Sequence, residues 1–155
     1  MCHGNICRSP YAAEVLRHVS EQNGIESIAI DSAGFIGPGR QAPSNARTVA
    51  RERGVDLDAH VAKVVTPEIV SSSDLIIVMD LRQRRAIEDR FEPPAGSVLL
   101  LGDLDPEPIQ RRAVLDPINQ SVAVFGSVYT RAERCVGALV EVLRAGTGVT
   151  EDGDA

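Results

Sequence analysis

The chain has 155 residues, a length that fits one domain and is large enough to bury a core. Its formal charge of −6 argues against nucleic acid as a partner, and its longest apolar runs are strand-sized, so nothing reads as a signal peptide or membrane span. Three cysteines, two of them in the first seven residues, suit a reducing cytoplasm better than a disulfide scaffold.

The chain opens on Cys2-His3-Gly4-Asn5-Ile6-Cys7-Arg8. Ser9 is a good N-cap and Pro10 suits the first helical position, so a helix is expected from here, with Ala12, Val15, Leu16 and Val19 on one face and Asn23-Gly24 as its stop. Residues 28–32 read as a short strand. Ser44 can cap a helix that runs to Arg53 and stops at Gly54, and Thr66-Pro67 starts a short one ending near Ser72. The apolar run 75–79 is of buried-strand type, Asp80 caps a helix to about Arg90, and residues 98–101 make another strand. Residues 102–120 hold no clear element, and loops of that length are usually functional or disordered. The last helix carries Phe125, Val128, Ala132, Val136, Leu139 and Leu143 on one face, with Cys135 beside it as a core residue. The domain is expected over residues 1–145, followed by a flexible acidic tail over 146–155. Arg82, Arg84, Arg85, Arg111 and Arg112 read as solvated faces, and there is no internal repeat.

Alternating helical and extended segments imply an α/β fold, a parallel sheet with helices on both faces and ligands beyond the carboxyl ends of the strands. The opening loop has the composition of an anion cradle. Gly4 and Asn5 readily take φ > 0, which turns successive N–H groups inward. The helix N-terminus and Arg8 add positive charge, and the same field lowers the pKa of Cys2. A thiolate at the floor of a phosphate cradle reads as a nucleophile for phosphoryl transfer. The rival reading is a metal site, but Cys135, His3, His18 and His60 do not supply further ligands at matched spacing, so no metal and no cofactor is expected. A proton donor is also needed. Asp116, fixed in direction by Pro117, and the Asp103/Asp105-Pro106 cluster both qualify, and spacing alone does not rank them.

The loop resembles that of the low-molecular-weight protein tyrosine phosphatases, C-x-G-N-x-C-R-S-P, and the resemblance runs from Cys2 to about Leu143. Asp31-Ser32-Ala33-Gly34, Gly54-Val55-Asp56-Leu57, His60-Val61-Ala62-Lys63, Asp74 through Asp80 and Leu115-Asp116-Pro117 match in order. The resemblance implies a three-layer flavodoxin-like (phosphotyrosine phosphatase I-like) fold, whose first strand is internal and carries the loop. Only Met1 precedes the loop here, so that strand, between those at 28–32 and 75–79, is expected to be absent and the domain N-terminally truncated. Either the natural start lies upstream, which the intact catalytic pattern favours, or the chain is truncated and weakly folded.

The resemblance also assigns roles. Cys2 is the nucleophile, Arg8 binds the phosphate and Asp116 is the general acid. His3, Gly4, Asn5, Ile6, Cys7, Arg8 and Ser9 form the phosphate site, and Asn5, Ser9, Ser32 and His60 brace it. Cys7 is either packing or a redox partner of Cys2. The implied function is hydrolysis of phosphotyrosine-type aryl phosphates through a phosphocysteine intermediate, in the cytoplasm, by a monomer or weak dimer with no membrane partner. The substrate is a phosphotyrosine protein or a small aryl phosphate. Ile6 suits phosphotyrosine rather than phosphoarginine. Ile118 and Asn119 stand where the family often has tyrosines, and Phe35 offers partial compensation. The alternatives are an arsenate reductase of the same fold, which needs further cysteines to relay a disulfide, and a non-catalytic phosphate-binding remnant.

Overall fold

A computed structural model describes residues 1–25, 27–108 and 110–147. Its elements are α1 (Arg8–Gln22), α2 (Ser44–Glu52), α3 (Pro67–Ser71), β1 (Ile76–Val78), α4 (Leu81–Phe91), β2 (Val98–Leu100), a 3-10 turn (Leu101–Leu104) and α5 (Val122–Thr147). Helix α5 thus runs through residues 146–147, and the rest of the expected tail, 148–155, lies outside the described residues.

Strands β1 and β2 pair in parallel, Ile76 against Val98 and Val78 against Leu100, joined by the crossover helix α4. Successive side chains of a strand point to opposite faces, which divides the core in two. Ile76 and Val78 pack with Val70, Ile87, Val98 and Leu100 under α3 and α4. Ile77 faces the other way, toward the larger core of α1, α2 and α5 around Tyr11, Val49, Phe125, Tyr129 and Val136. The architecture is the expected α/β one, a parallel sheet between helical layers. Capping signals hold at two helix starts and two helix ends. The Thr66 hydroxyl accepts from Ile69 N, Asp80 accepts from Gln83 N, and Gly24 and Gly54 stop their helices at φ 69° and 77°. No described helix is long and apolar enough to cross a membrane.

Two expectations need correction. Residues 28–32 form no strand; that stretch is extended but has no ladder, and its Ile30 carbonyl accepts from Arg17 Nη2 at 2.7 Å instead. A strand exists through its neighbour's donors and acceptors, and here the neighbouring lane is filled only by Met1 and Cys2. The Met1 amino group donates to Ile77 O on one side, and Cys2 N donates to Ala33 O on the other at 3.3 Å. They are single rungs of two ladders, one on each edge of the lane. Beyond them lies a cavity of about 630 Å³, lined among others by Leu16, Ile28, Ile30, Leu75, Ile77 and Leu139. The second correction concerns Ser9. Helix α1 starts two residues earlier than expected, with Cys7 at the N-cap and no side-chain cap, and α2 likewise has Pro43 rather than Ser44 at its N-cap. Ser9 lies inside the first turn, where its hydroxyl serves Cys2 rather than the helix end.

Candidate active site

The loop from Cys2 to Cys7 is bent at Asn5, the one loop residue in the left-handed region, at φ 51°. Gly4 does not share that conformation; what it supplies is room, since a Cβ there would lie 2.7 Å from Arg40 Nη2. Asn5 is fully buried and its side chain is saturated. Its amide nitrogen donates to Ser9 Oγ at 3.0 Å and to Ser32 Oγ at 2.9 Å, while Oδ1 accepts from Lys63 N at 3.0 Å. His60 Nε2 donates to Asn5 O at 2.6 Å. The four residues expected to brace the loop therefore converge on one network, and such a saturated buried network fixes a single loop shape.

Backbone contacts that no motif announced complete the cradle. His3 O accepts from Phe35 N at 2.8 Å and from Ile36 N at 3.3 Å. Gly34 permits this approach, because a Cβ on it would lie 2.8 Å from Asn5 N and 2.9 Å from His3 O. Those are backbone atoms that cannot swing aside. Gly34→Ala is thus expected to cost about 1–3 kcal/mol of stability and to displace the loop, seen as a lower melting temperature together with a reduced kcat/KM for an aryl phosphate. An unchanged melt and rate would show that the loop is softer than this packing implies. Behind the loop, Tyr129 Oη donates to Cys7 O at 3.2 Å, and its ring stacks on Tyr11 with centroids 3.6 Å apart.

The electrostatics single out Cys2. Burial opposes ionisation of its thiol, yet the hydroxyl and amide of Ser9, the Arg8 guanidinium and the terminal ammonium overrule it and hold the pKa below the usual thiol value. The Ser9 hydroxyl donates to Cys2 Sγ at 3.1 Å. Cys7 behaves oppositely, pushed up to about 12 by burial and by the charge of Cys2. The surroundings thus favour ionisation of Cys2 and oppose that of Cys7.

Arg8 is buried, with Nη1 donating to Val114 O at 3.0 Å and Nη2 paired with the Asp116 carboxylate. Its Nε is buried and has no hydrogen-bond partner among the described residues, which leaves one donor in reserve. Asp116 is steered from its other side by Ile118 N, which donates to Oδ1 at 3.2 Å. The competing acids have other duties. Asp105 has a buried side chain clamped by Arg131 and Arg134, and Asp103 is paired with Arg112. Of the three acids, Asp116 is the one that pairs with Arg8.

The rim is aliphatic. Leu115, Ile118 and Ile36 are exposed, the first two flanking Asp116 and the third following the Phe35 contact to His3. Phe35 itself packs against the core under α3 and α4, so it does not supply the aromatic compensation expected of it. Among the described residues no cluster of three His, Cys, Asp or Glu could hold a metal ion.

The comparisons agree over nearly the whole length. A family model described as low molecular weight phosphotyrosine protein phosphatase matches residues 1–148. The chain is 35% identical over 147 residues to the probable low molecular weight protein-tyrosine-phosphatase EpsP of Ralstonia nicotianae, covering 94% of each chain. A solved protein tyrosine phosphatase from Entamoeba histolytica, with Hepes in its active site, superposes with a TM-score of 0.85 at 29% identity, over 94% of this chain and 95% of that one. The tyrosine phosphatase Wzb from Escherichia coli K30, in complex with sulphate, gives 0.81 at 29% identity, over 92% and 94%.

Proposed function

The chain belongs to the low molecular weight phosphotyrosine protein phosphatase family, and we propose that it hydrolyses phosphotyrosine-type aryl phosphates by double displacement at Cys2. The observation that carries this reading is the shared guanidinium. Arg8 lies beside a thiol of lowered pKa and holds the only carboxylate at the loop mouth among its ion-pair partners.

In the first step Cys2 Sγ attacks phosphorus, forming the S–P bond as the P–O bond to the phenol breaks. Loop amides and Arg8, including its unused Nε, carry the charge on the equatorial oxygens. The dianion competes with Asp116 for the same guanidinium, which releases the carboxyl to hold a proton and pass it to the phenolate oxygen. Water then attacks phosphorus, Asp116 takes its proton, the S–P bond breaks, and inorganic phosphate leaves with the thiolate restored. No step asks for a metal or cofactor. That the similar Wzb structure is a complex with sulphate, a tetrahedral oxyanion, is in keeping with a phosphate ligand.

Arsenate reduction fits less well, because both further thiols are buried, Cys135 pushed up to about 11 and Cys7 to about 12, chiefly by desolvation. Three free, buried cysteines support a cytoplasmic setting, and the monomer or weak dimer stays part of this reading. The test is hydrolysis of p-nitrophenyl phosphate in chelator, inhibited by vanadate. Asp116→Asn is expected to lower kcat on the order of 10²–10⁴-fold. A smaller loss would move the acid elsewhere, and vanadate-insensitive turnover would remove the phosphocysteine.

A further inference from the structure

Arg40 has no role in the chemistry above, yet the fold goes to some length to place it. Gly37 and Gly39 turn the chain at φ 63° and 80°, and the returning strand-like segment is pinned by Gly39 N to Ala62 O and Ala62 N to Arg40 O, both 2.8 Å. The side chain then folds back over its own turn. Nε donates to Gly37 O at 3.0 Å, and Nη2 reaches Ile36 O at 3.4 Å and Gly4 O, inside the phosphate loop, at 3.3 Å. The positive charge is felt in the loop, where it works to lower the pKa of Cys7.

Every partner of this guanidinium is a backbone carbonyl. Among the described residues no carboxylate pairs with it, and Nη1 makes no hydrogen bond. The neighbouring cation, Lys63, is instead neutralised by Asp31. An ordered, exposed, uncompensated arginine on the rim of an anion site in a chain of charge −6 is a local exception to the surface field. Carbonyl bonds orient the planar group without cancelling its charge, so its free edge is preset for a carboxylate.

We propose that Arg40 is a specificity-determining residue that pairs with an Asp or Glu side chain flanking the phosphotyrosine, which makes acidic phosphopeptides the preferred substrate class. The proposal rests on the phosphatase reading. Ile36 and Leu115 take the apolar part of the substrate, Arg8 takes the phosphate, and Arg40 reads the neighbouring charge.

The experiment compares two phosphotyrosine peptides that differ only in Glu or Gln on both sides of the phosphotyrosine. Their kcat/KM ratio is measured on the unmutated chain, R40Q and R40K, and their Kd ratio on the same three sequences carrying Cys2→Ser. Because each ratio is taken within one protein, a general disturbance of the loop cancels. A Glu preference of about five- to tenfold is expected in the unmutated chain, falling to about one in R40Q, partly retained in R40K and weakened by salt. No Glu preference, or one that survives R40Q, overturns the role of Arg40. Peptide binding with the expected ratio but no turnover by the unmutated chain would instead sink the phosphatase reading and leave Arg40 standing.

Discussion

Cys2→Ser is expected to lower kcat for p-nitrophenyl phosphate on the order of 10⁴-fold or more while strengthening, not weakening, the binding of a phosphopeptide. The loss follows from chemistry: a serine hydroxyl stays protonated where a thiol ionises, and it is a far weaker nucleophile toward phosphorus than a thiolate. Ser9 donates toward Sγ rather than accepting from it. The gain follows from electrostatics. The thiolate form that Ser9 and Arg8 favour puts a negative charge on the floor of a site for a dianion, and the serine removes that repulsion. Calorimetric titration of the variant beside a steady-state assay checks both halves. Weaker binding would mean that the thiolate does not face the phosphate, and residual turnover near the parent's would put the nucleophile elsewhere. The lowered thiol pKa also fixes the sign of the pH response. The thiol's pKa is lowered, so kcat/KM is expected to rise with pH at lower pH than an ordinary thiol would allow.

Extending the chain upstream of Met1 by about five apolar, β-branched residues is expected to raise the melting temperature on the order of 10 °C, whereas an equally long Gly/Ser extension should leave it unchanged. The cavity beyond Met1 is lined by aliphatic side chains from α1, α5 and both flanking extended segments, and its two open ladders continue the Met1–Ile77 and Cys2–Ala33 rungs. A strand laid there gains backbone partners on both edges and covers two helix faces. Equal melting of the two extended chains would show that the cavity is not a strand lane. The extension has a pH signature as well. Burial holds the Met1 ammonium at about 6 rather than 8.0, so between those values the unfolded chain binds more protons than the folded one. The unextended chain should therefore lose about 2–3 kcal/mol as pH falls from 8 to 6, and the extended chain, with a peptide bond at that nitrogen, should escape that loss.

The chemistry of this protein was more legible in its sequence than its scaffolding. Cys2, Arg8, Asn5, Ser9, Ser32 and His60 belong to a short motif and its matched neighbours, and hydrogen bonds link Cys2, Asn5, Ser9, Ser32 and His60 in the fold. Spacing did not separate Asp116 from Asp105; the family resemblance did, and the arginines of α5 that enclose Asp105 agree with that choice. The segment at 28–32 has strand composition but no ladder, because strandness belongs to a pair of chains and not to one. Ser9 was misread as a cap for a similar reason: the capping rule weighs only local backbone donors, and a thiol seven residues back outcompetes them. Gly34, Val114 and Arg40 act through backbone approach or carbonyl contacts, which leave no side-chain pattern to find.

The stacked pair of Tyr11 and Tyr129 has a consequence for signalling. The chain contains two tyrosines and no tryptophan, and both rings are fully buried, one hydroxyl committed to Glu133 and the other to the Cys7 carbonyl. The folded protein therefore offers no phenol to a tyrosine kinase. Traffic between it and any such enzyme runs one way, through a shared substrate and not through a phosphate written on the phosphatase itself. The same burial makes its intrinsic fluorescence a report on the packing of α1 against α5, directly behind the loop that binds phosphate.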